Sequence, residues 1–119
     1  ITLVPLTAND KVTSRVKNAA TLRVDFTVGA NELAKAGYRQ IYLCITSPDG
    51  YLLSTDAMPT FNYQGTKKGY SASREVDYTG SEVELSIYLN DIPTYVKGVY
   101  TVEAYTEQAL LGKAELLLR

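Results

Sequence analysis

The chain has 119 residues, which is about the size of one globular domain. Its 12 lysines and arginines nearly balance 13 aspartates and glutamates, so the formal net charge is -1 and the basic surplus of a nucleic-acid-binding domain is missing. The basic residues are scattered, with Lys67-Lys68 as the one adjacent pair. Histidine is absent, which excludes Ser-His-Asp and Cys-His catalysis and removes the commonest metal ligand. We therefore expect no catalytic residues, no metal or other cofactor, and no nucleic-acid partner.

The length and the ends of the chain suggest one domain of a longer protein. The sequence begins at Ile1 without a methionine or a signal region, so we interpret residues 1–119 as a single β-sandwich domain of a larger protein. No stretch approaches the roughly 20 apolar residues that span a bilayer, so this segment is not expected to insert into a membrane. The single cysteine, Cys44, cannot form an internal disulfide and leaves the compartment open.

The first third of the chain predicts strands. Residues 1–17 have the pattern of one strand broken at Pro5. Residues 31–36 predict one turn of helix that ends at Gly37. The clearest strand lies between these segments, over residues 20–28, where apolar and polar residues alternate. Its apolar face consists of Leu22, Val24, Phe26 and Val28.

The middle of the chain continues this alternation. Residues 39–47 predict a strand, and Ser47-Pro48-Asp49-Gly50 predicts a tight turn because proline fixes φ and glycine supplies a positive φ. A short strand is expected at 51–54, a polar edge strand at 72–78 and a further strand at 82–89. The core face of the 39–47 strand comprises Ile41, Leu43 and Ile45, and that of the 82–89 strand comprises Val83, Leu85, Ile87 and Leu89.

The most specific pattern begins at Gly98. A glycine opens the strand 98–106, Tyr100 follows two residues later, and Val102 two residues after that. The F strand of immunoglobulin-like sandwiches begins in this way, and its tyrosine hydroxyl bonds back to the preceding corner. Val102 takes the place of the second cysteine of antibody domains, so we expect it to pack on Val24 or Leu22.

The strand 112–118 completes the pattern, and the last segment, Leu111 to Arg119, is a candidate sheet edge. Short strands at this spacing predict an all-β fold, an immunoglobulin-like or fibronectin III-like antiparallel β-sandwich of about seven to eight strands.

The longest segment without a strand pattern, Thr55 to Tyr70, is the candidate binding loop. Its aromatic and cationic side chains could contact a protein or a glycan, and the candidate residues are Phe61, Tyr63, Lys67, Lys68 and Tyr70. The alternative is structural: Phe61 and Tyr63 would anchor a crossover between the two sheets. We favour anchoring, and if the loop binds, Tyr63 and Tyr70 are the expected contacts.

Other reactive side chains favour structural interpretations. Four aspartates in or near connections lack the spacing of a calcium loop, so we interpret them as solvated turn residues: Asp49, Asp56, Asp77 and Asp91. Cys44 faces away from the core residues of its strand and has no activating neighbour, which predicts an incidental residue on the outer sheet face. Most of the ten tyrosines are expected to be structural.

Three segments together resemble a known class of sandwich domain: Ile41–Gly50, Ser73–Tyr78, and Gly98–Tyr105 with Leu111–Ala114. They are similar to immunoglobulin-like sandwich modules at the C-terminal end of cell-envelope proteins of Bacteroidetes-type bacteria. The resemblance implies a periplasmic or cell-surface location and a role as a spacer or adhesion module without catalytic residues. Residues 107–110 depart from the pattern, because a glycine-bearing hairpin turn is expected there.

We therefore predict a non-catalytic immunoglobulin-like module of a larger cell-envelope or surface protein, used for spacing, display or protein contact. Its partners would be another protein or other domains of the parent chain. The alternative is a carbohydrate-binding module that uses surface tyrosines to contact a glycan, although the absence of tryptophan counts against it.

Overall fold

The computed structural model describes residues 1–29, 37–54, 58–90 and 94–119. The predicted helical turn at 31–36, Asp56 and Asp91 lie outside these residues. Within the described ranges the chain forms nine strands and one short 3-10 helix, Val16–Asn18. The strands are β1 (Thr2–Leu6), β2 (Thr21–Val28), β3 (Gly37–Thr46), β4 (Thr60–Tyr63), β5 (Thr66–Gly69), β6 (Ala72–Tyr78), β7 (Val83–Leu89), β8 (Gly98–Tyr105) and β9 (Leu110–Leu118).

The strands form two large sheets and one small sheet, all with antiparallel pairing. The first sheet has the order β1-β2-β7, and the second has the order β6-β3-β8-β9. A single core cluster draws buried side chains from both, so the two sheets form an antiparallel β-sandwich. The predicted all-β sandwich is confirmed. Seven strands build it, and the two remaining strands, β4 and β5, form a separate hairpin.

Alternation of side chains places the predicted core faces correctly. The four apolar residues of β2 are all buried, as are Ile41, Leu43 and Ile45 on β3. Val102 is 0% exposed and shares the core cluster with Leu22 and Val24. Burial of each such aliphatic side chain contributes on the order of 1.5–3 kcal/mol. This aliphatic core joins the two sheets without the disulfide of antibody domains.

The predicted corner before β8 is also present. The Tyr100 hydroxyl donates to the carbonyl oxygen of Val96 at 2.6 Å and accepts from the Val96 N–H at 2.9 Å. Gly98, at the start of the strand, has a φ of 134°, and a Cβ there would lie 2.6 Å from Cβ of Pro48. Only glycine fits this position without displacing the turn at Pro48.

The amino-terminal prediction was wrong in two respects: β1 runs through Pro5 without a break, and it ends at Leu6 instead of continuing to Lys17. Pro5 lies opposite Leu22, on a strand at the edge of its sheet. A proline is tolerated at a sheet edge because its missing N–H leaves no partner unpaired. The Pro5 carbonyl still accepts from the Thr13 N–H, so the chain folds back beside β1 after a turn at residues 7–11.

Two further predictions need correction. The strand expected at 51–54 is reduced to one bridge between Leu52 and Thr46. The polar strand expected at 72–78 is β6, which pairs with β3 and lies at the edge of the four-stranded sheet as predicted. The last hairpin forms without a glycine, because the Thr106 hydroxyl accepts from the N–H groups of Gln108 and Ala109. A side-chain oxygen thus provides the turn hydrogen bonds that a glycine-bearing turn was expected to supply.

Candidate functional site

The segment from Thr55 to Tyr70 was predicted to be irregular, but most of its described part is a β-hairpin. Strands β4 and β5 pair from Thr60 with Gly69 to Tyr63 with Thr66. The two residues between them, Gln64 and Gly65, have φ values of 49° and 86°. Positive φ at both positions is typical of a type I′ turn, which fits the twist of a hairpin. The alternation before Gln-Gly was a usable signal for this hairpin, although it is weaker than Asn-Gly.

The hairpin lies on the outer face of the four-stranded sheet, where its aromatic side chains pack against those of the sheet. We call these residues the aromatic cluster: Tyr42, Phe61, Tyr63, Tyr70 and Tyr105. Phe61 stacks on Tyr42 with ring centroids 4.1 Å apart and planes inclined by 8°. The centroid of the Phe61 ring lies 6.0 to 6.3 Å from those of the other three rings. Phe61 therefore contacts every other member of the aromatic cluster. Such pairs add about 0.5–1.5 kcal/mol each beyond the burial of their area.

Cys44 is on the outer sheet face, as predicted, but it is not exposed. The hairpin covers it and leaves 4% of the residue accessible. The Cys44 thiol lies 3.2 Å from the carbonyl oxygen of Gly69 and donates to it. Burial raises the pKa of this thiol to about 11, and the opposing charge of Lys68 only partly offsets that effect. At neutral pH the thiol is therefore protonated and almost inaccessible to solvent.

Backbone and amide hydrogen bonds fix both ends of the hairpin. At the tip, the Gln64 N–H donates to the carbonyl of Glu107, and the Gln64 amide donates to the carbonyl of Gln108, both at 3.0 Å. At the base, the Ser71 N–H donates to the Leu43 carbonyl at 2.6 Å. The hairpin is therefore tied to the turn between β8 and β9 and to β3.

The structure brings the five predicted site residues together, but in different environments. Phe61 is buried, and Tyr63 and Tyr70 are half-buried with their rings packed in the aromatic cluster. Lys68 places its ammonium 5.1 Å from the centre of the Tyr105 ring, a cation–π contact. Lys67 is exposed. Phe61 therefore anchors the segment, and the half-buried ring of Tyr63 packs in the same cluster. The predicted crossover between the two sheets is wrong, because the strands on either side of the hairpin, β3 and β6, both belong to the four-stranded sheet.

Burial affects the ionisation of two phenols in the aromatic cluster. Burial, with smaller contributions from Glu103 and other neighbours, raises the pKa of Tyr105 to about 12. Burial also raises the pKa of Tyr42. The phenols of Tyr42 and Tyr105 and the thiol of Cys44 are therefore protonated at neutral pH. The groups available for contact with a ligand are ring surfaces, hydroxyl groups and the Lys68 ammonium.

The outward side of the hairpin is polar. Asn62 and Lys67 are cross-strand partners, and both are exposed, as is Thr60 on the same side of β4. We call Thr60, Asn62 and Lys67 the hairpin face. Because the aromatic cluster packs the opposite side of the hairpin against the sheet, the positions of the residues on the hairpin face are fixed.

A second candidate surface, which the sequence did not indicate, is a shallow polar groove of about 830 Å³ on the three-stranded sheet. Asp25 accepts from the Arg23 guanidinium and, at 2.6 Å, from the Ser86 hydroxyl. Arg74 reaches from β6 to the Ser86 carbonyl at 2.7 Å, and Tyr88 lines the groove with half its surface exposed. Alternation along the strands predicts that the polar residues of β2 and β7 face away from the core. It does not predict that Arg74 reaches them from the other sheet.

Among the described residues, no group of three or more histidine, cysteine, aspartate or glutamate side chains could hold a metal ion. None of the helices in this part of the chain has the length and apolar character needed to cross a bilayer.

The fold and the site define an all-β antiparallel sandwich domain that carries an additional hairpin on its four-stranded sheet. The chain belongs to the family described as "Domain of unknown function (DUF8428)", whose family model matches residues 1–119. No curated protein and no solved structure matches the chain significantly.

Proposed function

We propose that this domain is a non-catalytic interaction module of a larger cell-envelope or surface protein, and that it contacts a protein partner or a neighbouring domain through the hairpin face. The observation that carries the proposal is the attachment of the hairpin, where Phe61 contacts the other four rings of the aromatic cluster. These ring contacts form a hydrophobic cluster separate from the main core, and they hold the hairpin on the outer face of the four-stranded sheet.

Preorganisation is the physical reason why this arrangement suits binding. A surface loop that must be ordered on binding loses roughly 0.5–1.5 kcal/mol of affinity for each flexible side chain it immobilises. The hydrogen bonds from Gln64 to residues 107 and 108 and the stack of Phe61 on Tyr42 order the hairpin beforehand. Asn62 and Lys67 then supply amide and ammonium groups for polar contacts with a partner.

The chemistry of the buried groups supports a role without catalysis. Nucleophiles and general acids act best when their pKa lies near the working pH. Burial instead raises the pKa of Cys44 to about 11 and that of Tyr105 to about 12, which keeps both groups inactive near neutrality. The envelope location rests on the resemblance to envelope modules of three segments: Ile41–Gly50, Ser73–Tyr78, and Gly98–Tyr105 with Leu111–Ala114.

Site-specific photocrosslinking in the native cell tests the proposal. A photoreactive residue is placed at Asn62 or at Lys67, and a control is placed at Lys11, which is exposed in the turn after β1. We expect a discrete protein adduct, or a crosslink to another domain, from both hairpin positions and not from Lys11. Absence of adducts at 62 and 67, or the same adducts at all three positions, would refute the proposed contact surface.

The alternative function, carbohydrate binding, is favoured by one specific feature, the polar groove. The rings of the aromatic cluster pack on one another and are at least half-buried, whereas Tyr88 is 51% exposed beside charged hydrogen-bonding groups. A sugar ring could stack on Tyr88 while the guanidinium of Arg23 donates to its hydroxyls. A glycan array with Tyr88→Ala and Tyr63→Ala variants tests this alternative. Binding lost on Tyr88→Ala alone would place the sugar in the groove, and no binding by the unmodified domain would reject it.

A further inference from the structure

Basic residues that are far apart in the sequence meet in one pocket at the end of the sandwich where β8 begins. The pocket has a volume of about 380 Å³, and its lining residues are Arg15, Val16, Lys17, Lys97 and Arg119. We call it the basic pocket. Four of its five lining residues carry a positive charge, and none of the acidic residues that the structure describes lines it. The fold thus places basic residues from three separate parts of the sequence around one pocket.

Backbone pairing fixes one side of the basic pocket. The Arg119 N–H donates to the Ser14 carbonyl, and the Val16 N–H donates to the Arg119 carbonyl, both at 2.8 Å. The Arg119 guanidinium also donates to the Ser14 hydroxyl at 2.9 Å. These three bonds hold the segment that carries Arg15 and Lys17 against the end of β9.

The tyrosine corner fixes the other side. The Tyr100 hydroxyl bonds both the N–H and the carbonyl of Val96, and Gly98 is packed against Pro48. Lys97 lies between these two fixed residues, so its backbone has little freedom. The fold therefore keeps Lys97 at the pocket although its side chain is exposed.

Among the described residues, no acidic side chain lines the basic pocket or pairs with its cations. None of the four cations forms an ion pair within this part of the chain; the ion pair present joins Arg23 to Asp25 on the three-stranded sheet. Asp49 lies at the same end of the sandwich, where its charge adds to burial in raising the pKa of Tyr100, but it does not line the pocket. Like charges held together repel, and a bound anion would relieve that repulsion.

We propose that the basic pocket binds a phosphate or sulfate group of a small ligand or of a substituted glycan. Arginine offers two parallel N–H groups to such an anion, and lysine adds a mobile point charge. Four cations match one or two anionic groups, whereas a protein that follows a nucleic-acid backbone makes about six to ten phosphate contacts. The site is separate from the proposed hairpin contact, because the hairpin tip is bonded to the β8–β9 turn at the far end of β8.

An NMR titration of the 119-residue chain with two anions tests the proposal. Pyrophosphate represents phosphate ligands, a heparin-derived disaccharide represents sulfated glycans, and sodium chloride at equal ionic strength is the reference. We expect saturable shifts centred on the amides of Val16, Lys17 and Lys97 with at least one of the two anions. Saturation by pyrophosphate alone identifies the ligand as a phosphate, and saturation by the disaccharide alone identifies it as a sulfated glycan. Saturation by both shows that the pocket accepts either group.

Matched charge-removing variants decide whether the binding is specific. Lys17→Gln and Lys97→Gln should each weaken binding on the order of tenfold, because each removes a charged hydrogen-bond donor. Lys113→Gln, an exposed lysine on β9 outside the pocket, should leave it unchanged. All three side chains are exposed, so the fold should persist, and its amide spectrum verifies this. Shifts that never saturate, or equal weakening by all three variants, would overturn the proposal without affecting the hairpin contact.

Discussion

The hydroxyl of Tyr100 bonds both backbone groups of Val96: it donates to the carbonyl oxygen at 2.6 Å and accepts from the N–H at 2.9 Å. One side chain thereby closes the corner that leads into β8. Because Tyr100 itself is completely buried, the corner is attached to the main core and not to a mobile surface group. The same contact positions Lys97 at the basic pocket, so a structural bond also organises a candidate site.

Tyr100→Phe should lower the free energy of unfolding by about 1–3 kcal/mol, because it removes both hydrogen bonds and leaves the ring in place. The measurement is urea unfolding followed by circular dichroism. Tyr88→Phe is the matched control, since Tyr88 is 51% exposed and the structure gives its hydroxyl no hydrogen bond within the described residues. A change within about 0.5 kcal/mol is expected for that control. Equal stability of the two variants would show that the corner bonds contribute nothing.

Val102→Asp should abolish cooperative unfolding, because it places a carboxylate in the centre of the sandwich core, where Val102 is 0% exposed. Val99→Asp makes the same chemical change on the same strand, but Val99 faces outward and is 46% exposed. We expect that control to stay folded. Thermal melting and amide NMR spectra distinguish the two, and a folded, cooperatively melting Val102→Asp protein would contradict the core assignment.

Phe61→Ala should release the hairpin from the sheet and leave the sandwich folded. Phe61 contacts all four other rings of the aromatic cluster, and a buried Phe→Ala change costs about 3–5 kcal/mol. The readout is the rate at which Cys44 reacts with a thiol reagent, since the hairpin leaves that residue 4% exposed. We expect a faster reaction than in the unmodified chain. Asn62→Ala, on the exposed side of the same strand, should leave the rate unchanged, and a slow reaction in both variants would contradict attachment through Phe61.

Stability should fall at alkaline pH in two overlapping ranges. Folding raises the pKa of Cys44 from 9.0 to about 11 and the pKa of Tyr95 and Tyr105 from 10.0 to about 12, in each case mainly through burial. The unfolded chain therefore loses these protons first. The contribution of Cys44 is complete below about pH 9 and is lost as the pH rises toward 11, and that of the tyrosines is lost between about 10 and 12.

The Cys44→Ala variant separates the two ranges. Its free energy of unfolding should decline less steeply than that of the unmodified chain between about pH 9 and 10, because the variant has no thiol to ionise while its tyrosines ionise equally in both proteins. Urea midpoints measured at closely spaced pH values give this slope. Parallel curves for the two proteins in that range would show that the buried thiol is not linked to folding.

The candidate site was predictable in part. Composition and aromatic spacing drew attention to Phe61, Tyr63 and Tyr70, and the preference for anchoring fits the buried position of Phe61. The hairpin itself was missed because Gln64-Gly65 is a weak turn signal beside Asn-Gly. The stack of Phe61 on Tyr42 was beyond reach, because nothing in the spacing of residues 42 and 61 says that they meet.

The sequence by itself determined most strands of the sandwich, their core faces and the corner at Tyr100. These features follow from the two-residue repeat of an extended backbone and from a contact that reaches back four residues, so local pattern is enough. Only the tertiary structure decided that a hairpin covers Cys44 and that Lys17, Lys97 and Arg119 share one pocket. Alternation shows which side chains leave the core face, but what they then meet depends on distant segments that packing and sheet order bring together.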